Sequence, residues 1–110
     1  MLETLLKDDD TIERCGLILK DGTVVEIKNV APDPAIAYEM DPVELLPYVE
    51  AGTIESTWHT HPQSDPTLSG ADHEGFLTWP DFGHCIIGRR DGQVAVARYR
   101  VEEGFVLACN

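Results

Sequence analysis

At 110 residues the chain falls near the commonest domain size, which leaves room for one domain, residues 1–110, and not for two. An apolar fraction of 43% and a charged fraction of 25% are those of a globular protein and exclude a wholly disordered chain. The 20 acidic residues outnumber the 8 basic ones to give a formal net charge of −12, which disfavours nucleic acid and anionic membranes as partners and favours basic ones; solubility or a salty habitat accounts for the charge equally well.

Residues 2–7 have Leu2, Leu5 and Leu6 on one side of a short helical stretch that the solvated Asp8-Asp9-Asp10 run breaks. This N-terminus lacks the basic and apolar regions of a leader, and no stretch approaches the length of a membrane span, so a soluble cytoplasmic protein is expected. From Cys15 to Val30 the β-branched residues read as a hairpin turning at Asp21-Gly22. Residues 31–41, with Pro32 and Pro34 and no period, read as a connection or an irregular edge segment. Asp41-Pro42 starts a helix as N-cap and first-turn proline; Leu45, Leu46 and Val49 are expected to face the core, Pro47 to bend or shorten the helix, and Gly52 to end it.

Thr53–Thr60 reads as a strand that delivers His59 and His61 at its C-terminal end, and 63–68 as a polar loop. Ser69 then opens a helix to about Trp79, stopped by Pro80, with Phe76, Leu77 and Trp79 supplying apolar surface. Strands follow from His84 and from Val94, joined through Asp91-Gly92, and Phe105–Cys109 follows a turn at Glu103-Gly104. The fold class predicted is α/β: one mixed sheet of five to seven strands flanked by two or three helices.

Three cysteines, Cys15, Cys85 and Cys109, are an odd number without a CxxC pair, so neither a disulfide framework nor a thiolate zinc knuckle is indicated and a reducing compartment is. The chemistry concentrates in Trp58–Asp72. On a strand, the period of two puts His59 and His61 on one face, and Asp72 could complete a set of two imidazoles and a carboxylate, a usual set for a catalytic Zn²⁺ with one position left open. Taken alone, the histidines could equally be satisfied core or surface residues, and Ser69-x-x-Asp72 also matches a capping box. Those readings are compatible, because a helix start at Ser69 would point Asp72 at whatever the strand presents. His73 and His84 fall outside the proposed site, Cys15 reads as a core residue, and Trp58 and Trp79 read as packing residues.

The joint pattern is more specific: Glu13-Arg14-Cys15-Gly16-Leu17-Ile18-Leu19, then His59-Thr60-His61-Pro62, six residues, and Ser69-x-x-Asp72. It resembles the JAMM (MPN-plus) zinc metalloproteases over most of the chain, through the strand at 83–88. The resemblance implies a cytidine-deaminase-like fold, Zn²⁺ held by His59, His61 and Asp72, Glu13 as general base and Ser69 assisting at the oxyanion. It further implies a peptidase or isopeptidase acting on a protein or peptide, such as the C-terminal tail of a ubiquitin-like or sulfur-carrier protein, and the short chain resembles prokaryotic or phage members. The alternative is a tail-assembly or scaffold module with a structural or dormant zinc site. A zinc nucleoside deaminase would need His-x-Glu and Pro-Cys-x-x-Cys, and neither occurs.

Overall fold

The structure is a computed structural model that describes residues 2–109. A single 3-10 turn, Leu2–Leu5, precedes β1 (Cys15–Leu19), β2 (Val24–Ile27), α1 (Pro42–Ala51), β3 (Ile54–Thr60), α2 (Gly70–Thr78), β4 (Gly83–Arg90), β5 (Gln93–Glu102) and β6 (Phe105–Cys109). The six strands form one sheet in the order β2-β1-β3-β4-β5-β6. Every neighbouring pair is antiparallel except β3 and β4. A parallel pair needs a crossover, and α2 supplies it. The crevice beyond the C-terminal end of β3 therefore opens beside the N-terminus of α2, where open α/β sheets place their ligands.

Each sheet face carries its own apolar cluster. On one, Leu2 and Leu6 pack on Trp58, Cys85 and Ile87, so the N-terminal turn acts as a lid. On the other, Leu17, Ile27 and Ile54 are joined by Met40, Leu45, Tyr48 and Phe82. Full burial of side chains this size stabilises by about 1.5–3 kcal/mol each. The pairing of β1 with β3 shifts register between Ile18 and Leu19, and Ile54 and Trp58 serve opposite clusters.

Two close approaches explain two glycines. Gly16 lies opposite Trp58 in the β1–β3 pairing, and a Cβ there would fall 1.9 Å from the Val25 carbonyl oxygen. The indole needs that space, because its Nε1–H donates to the same oxygen at 3.2 Å. Gly88 admits the 61–69 loop: a Cβ would meet Ser64 O at 2.5 Å and Pro66 N at 2.6 Å. That loop is further fixed by Arg89, whose N–H donates to Ser64 O and whose Nε donates to Pro62 O.

Several expectations need correction. The N-terminal stretch is one 3-10 turn, and Asp10 is no solvated spacer, since its carboxylate accepts from Lys7 N and Arg14 Nη1. Helix α1 runs through Pro47 to Ala51 and buries little: Leu45 and Tyr48 meet the core cluster, whereas Leu46 is 54% exposed and Val49 38%. The sheet is reached by one narrow i, i+3 stripe, and Leu46 and Val49 fall outside it. Among the described residues, no helix is long and apolar enough to cross a membrane.

Candidate active site

The register assembles the site. Cys15 pairs with His59, and antiparallel partners project to the same face. Continuing that pairing by two residues sets Glu13 across from His61, an extension anchored by Thr60 N–H donating to Arg14 O at 2.9 Å and Arg14 N–H donating to Thr60 Oγ1 at 2.9 Å. Glu13, Cys15, His59 and His61 thus share the face that α2 covers.

From α2 comes Asp72. Ser69 caps the helix: its Oγ accepts from Asp72 N–H at 3.1 Å, while the Asp72 carboxylate accepts from Ser69 N–H at 3.2 Å, so the capping box is present. The helix start holds the carboxylate over the strand, with Oδ1 at 3.1 Å from His59 Nε2 and Oδ2 at 3.2 Å from His61 Nε2. The two Nε2 atoms are themselves 3.2 Å apart. A Glu13 carboxylate oxygen lies with the two imidazoles in a group whose ligand atoms are all within 4.8 Å of one another. All four side chains are buried, at 8% exposure for Glu13, 0% for His59, 8% for His61 and 4% for Asp72. Ser69 stays exposed at the rim.

This donor set fits a metal. Tetrahedral zinc with metal–donor distances of about 2.0–2.1 Å spaces its ligands about 3.3 Å apart, close to the separations found. His61 Nδ1 faces the Asp65 carbonyl at 2.9 Å, which fixes its proton there and leaves the Nε2 lone pair aimed at the centre when the ring is neutral. Burial pulls His61 down, but its bonds to Asp72 and the Asp65 carbonyl outweigh that and leave it raised. Burial pushes Asp72 up, yet the two imidazoles hold it well below the usual carboxylate range. His59 is lowered, by burial, against the pull of Asp72. Glu13 is pushed up to about 7, mainly by burial, with His61 opposing and Asp72 adding to the rise.

His59 has a different environment. Among the described residues its Nδ1 has no hydrogen-bond partner; instead Tyr38 stacks on the ring at 4.3 Å between centroids and Phe76 meets it edge-on at 6.1 Å. Beside the centre runs a cavity of about 330 Å³ between α1, α2 and the sheet, lined at one end by Glu13, Ser69 and Asp72 and deeper in by Met40, Leu45 and Phe82. Trp79 also lines it, 40% exposed, and packs by stacking on Phe82.

The other two histidines have different surroundings. His73 is exposed. His84 is buried and engaged by Thr57 Oγ1 at 2.6 Å and the Trp79 carbonyl at 3.0 Å, with Phe76 stacked on it. Cys15 is buried against Ile27 O, and burial pushes its thiol up to about 12. Reading the sequence alone missed Tyr38 and the side chain of Asn29, which bonds the backbone of Glu13. Both border or lie within the aperiodic 31–41 segment.

No family model matches the chain. A desampylase of Haloferax volcanii is 34% identical over 108 aligned positions, which cover 86% of this chain and 75% of that protein. The chain belongs to the desampylase family. Membership agrees with the JAMM/MPN resemblance read from the residues. Among solved structures, a protein of Desulfitobacterium hafniense superposes with a TM-score of 0.74 at 20% identity, covering 97% of this chain and 82% of its own. A protein of Salinibacter ruber gives 0.53 at 18% identity, with 93% and 76% covered. These two likenesses concern the fold of the desampylase-family chain and not its chemistry.

Proposed function

We propose that the chain is a zinc-dependent isopeptidase that hydrolyses the amide bond joining the C-terminal tail of a ubiquitin-like or sulfur-carrier protein to an amine. The observation that carries the reading is the convergence of His59 Nε2, His61 Nε2 and both Asp72 oxygens within 3.1–3.2 Å, with the raised carboxyl of Glu13 beside them. The kinship with a desampylase supports both the hydrolase and the class of substrate. His59, His61 and Asp72 would hold Zn²⁺, which supplies Lewis acidity, polarising a carbonyl and lowering the pKa of water to about 7.

The chain's own groups do the rest. Glu13, buried and across from His61, takes the proton of the attacking water and returns it to the departing amine. Ser69 spends a lone pair on Asp72 N–H, so its hydroxyl hydrogen is free to donate to the carbonyl oxygen as charge develops there. Asp72, bonded by Ser69 N–H, keeps both oxygens on the imidazoles.

The test uses a ubiquitin-like modifier joined through its C-terminal carboxyl to a lysine side chain, with zinc measured per chain. Wild type is expected to bind one zinc and cleave in a chelator-sensitive way, Glu13→Gln to keep the zinc and lose at least 100-fold in kcat, about the contribution of a general base, and His59→Ala to lose the zinc. Cleavage that survives in Glu13→Gln defeats the assigned base. A zinc-loaded wild type that cleaves no such conjugate favours the scaffold reading.

A further inference from the structure

The backbone of Glu13 is fixed by what lies above it. Its N–H donates to Pro34 O at 2.7 Å and its carbonyl accepts from Asn29 Nδ2 at 2.8 Å. The same Nδ2 donates to Ala37 O at 3.0 Å, and Asn29 Oδ1 accepts from Ala31 N–H and from Glu39 N–H, each at 3.0 Å. An asparagine carboxamide has two N–H donors and two acceptor lone pairs, and here all four are engaged. The backbone groups it holds are the carbonyl of Glu13 and the peptide groups on either side of Tyr38, the residue stacked on His59. With prolines at 32 and 34, the backbone pairing of this segment is confined to the Asn29–Met40 bridge, the flanking bonds from Val30 N–H to Glu39 O and Asp41 N–H to Lys28 O, and a turn at Asp33, so one side chain supplies partners that a regular ladder would otherwise give.

We propose that Asn29 is a positioning residue of the site: its carboxamide locks the 30–40 segment so that Glu13 faces His61 and Tyr38 lies against His59. The Glu13 half rests on the reading of Glu13 as base. The network also fixes which way the amide points, because a flipped group would set N–H against N–H and oxygen against two carbonyls. Asn29→Asp is therefore a sharp perturbation. It keeps size and the two accepted bonds, but turns an oxygen toward Glu13 O and Ala37 O.

The experiment compares zinc-loaded wild type, Asn29→Asp, Asn29→Ala and Glu13→Gln, with the core variant Ile87→Val as a stability comparator, on the same modifier–lysine conjugate well below the melting temperatures. A misplacement on the order of 1 Å costs on the order of 100-fold. Asn29→Asp is expected to keep one zinc per chain and a KM within threefold of wild type while kcat falls on the order of 100-fold, whereas Ile87→Val keeps its kcat. Asn29→Ala, which adds no charge, carries the same expectation if Asn29→Asp does not fold. Independently of turnover, amide hydrogen exchange at Ala31 and Glu39, whose N–H groups donate to Asn29 Oδ1, should speed up in Asn29→Ala while exchange in β3 and β4 does not. A kcat within twofold of wild type in the folded Asn29 variants, or unchanged exchange, overturns the proposal. Cleavage surviving in Glu13→Gln overturns the base assignment and the Glu13 half with it, and leaves exchange at Glu39, beside Tyr38, to decide the other half.

Discussion

Replacing Gly16 by alanine adds one methyl group at the tightest point of the sheet. Its Cβ would lie 1.9 Å from Val25 O and 2.7 and 2.8 Å from Nε1 and Cε2 of Trp58, inside the hydrogen bond that joins those two residues. Neither neighbour can yield alone: Val25 is held in β2 by its pairing with Leu17, and Trp58 is fully buried. Overpacking at this level costs about 3 kcal/mol, and losing the indole bond adds about 1 kcal/mol. Unfolding entropy near 2.1 cal/mol/K per residue gives about 0.23 kcal/mol/K for 110 residues, so the melting temperature should fall by roughly 13 to 17 °C. Thermal unfolding followed by circular dichroism reads the shift, and indole fluorescence reads the displacement of Trp58. A fall of under about 4 °C with unchanged fluorescence would refute the packing account of the Cys-Gly-Leu strand.

Two further expectations concern side chains with competing readings. Cys15 and Cys85 are buried with thiols raised by burial, the former to about 12, so both stay protonated at pH 8; a maleimide should modify the native protein at Cys109 alone and all three cysteines after denaturation, and rapid native labelling of Cys15 would reopen a nucleophilic role. Ser69→Ala removes the cap of α2 and should lower stability by about 1 kcal/mol, roughly 4 °C here, while cutting kcat about 100-fold if the hydroxyl also serves the oxyanion. A stability loss with kcat within threefold of wild type would leave Ser69 a cap and nothing more.

What was legible in the sequence followed local chemistry. Helix α2 was readable because Ser69 and Asp72 form its capping box and Pro80 follows its end, and the turns at Gly22, Gly92 and Gly104 separate strands of plain β composition. Where structure depends on a distant partner, the signal disappears. The inward stripe of α1 is Leu45 and Tyr48, and nothing in Leu-Leu-Pro-Tyr-Val tells that Leu46 and Val49 look outward, because the cavity beside the helix is made by α2 and the sheet. The 31–41 segment has no period because its order comes from Asn29 and Glu13, outside itself. Tyr38 and Trp79 gain meaning only from what lies opposite them.

The 46-residue gap between Glu13 and His59 is closed by strand register. Because side chains alternate, Glu13-x-Cys15 and His59-x-His61 are the two sides of one antiparallel pairing, and a slip of a single residue would turn one pair away from the other. Gly16 and Trp58 guard against that slip from the opposite face: only with glycine opposite the indole can Trp58 reach Val25 O, and that fit exists in one register. Seen this way, Gly16, which makes no contact with the centre, decides whether Glu13 arrives beside it. The same reasoning applies to α2, where the capping box that starts the helix also aims Asp72, so folding and the proposed metal site draw on one geometry. Side chains placed by core packing and by a helix cap would lose little freedom on taking up the proposed ion, which favours affinity, and the proposed site depends on the whole sheet being correctly paired.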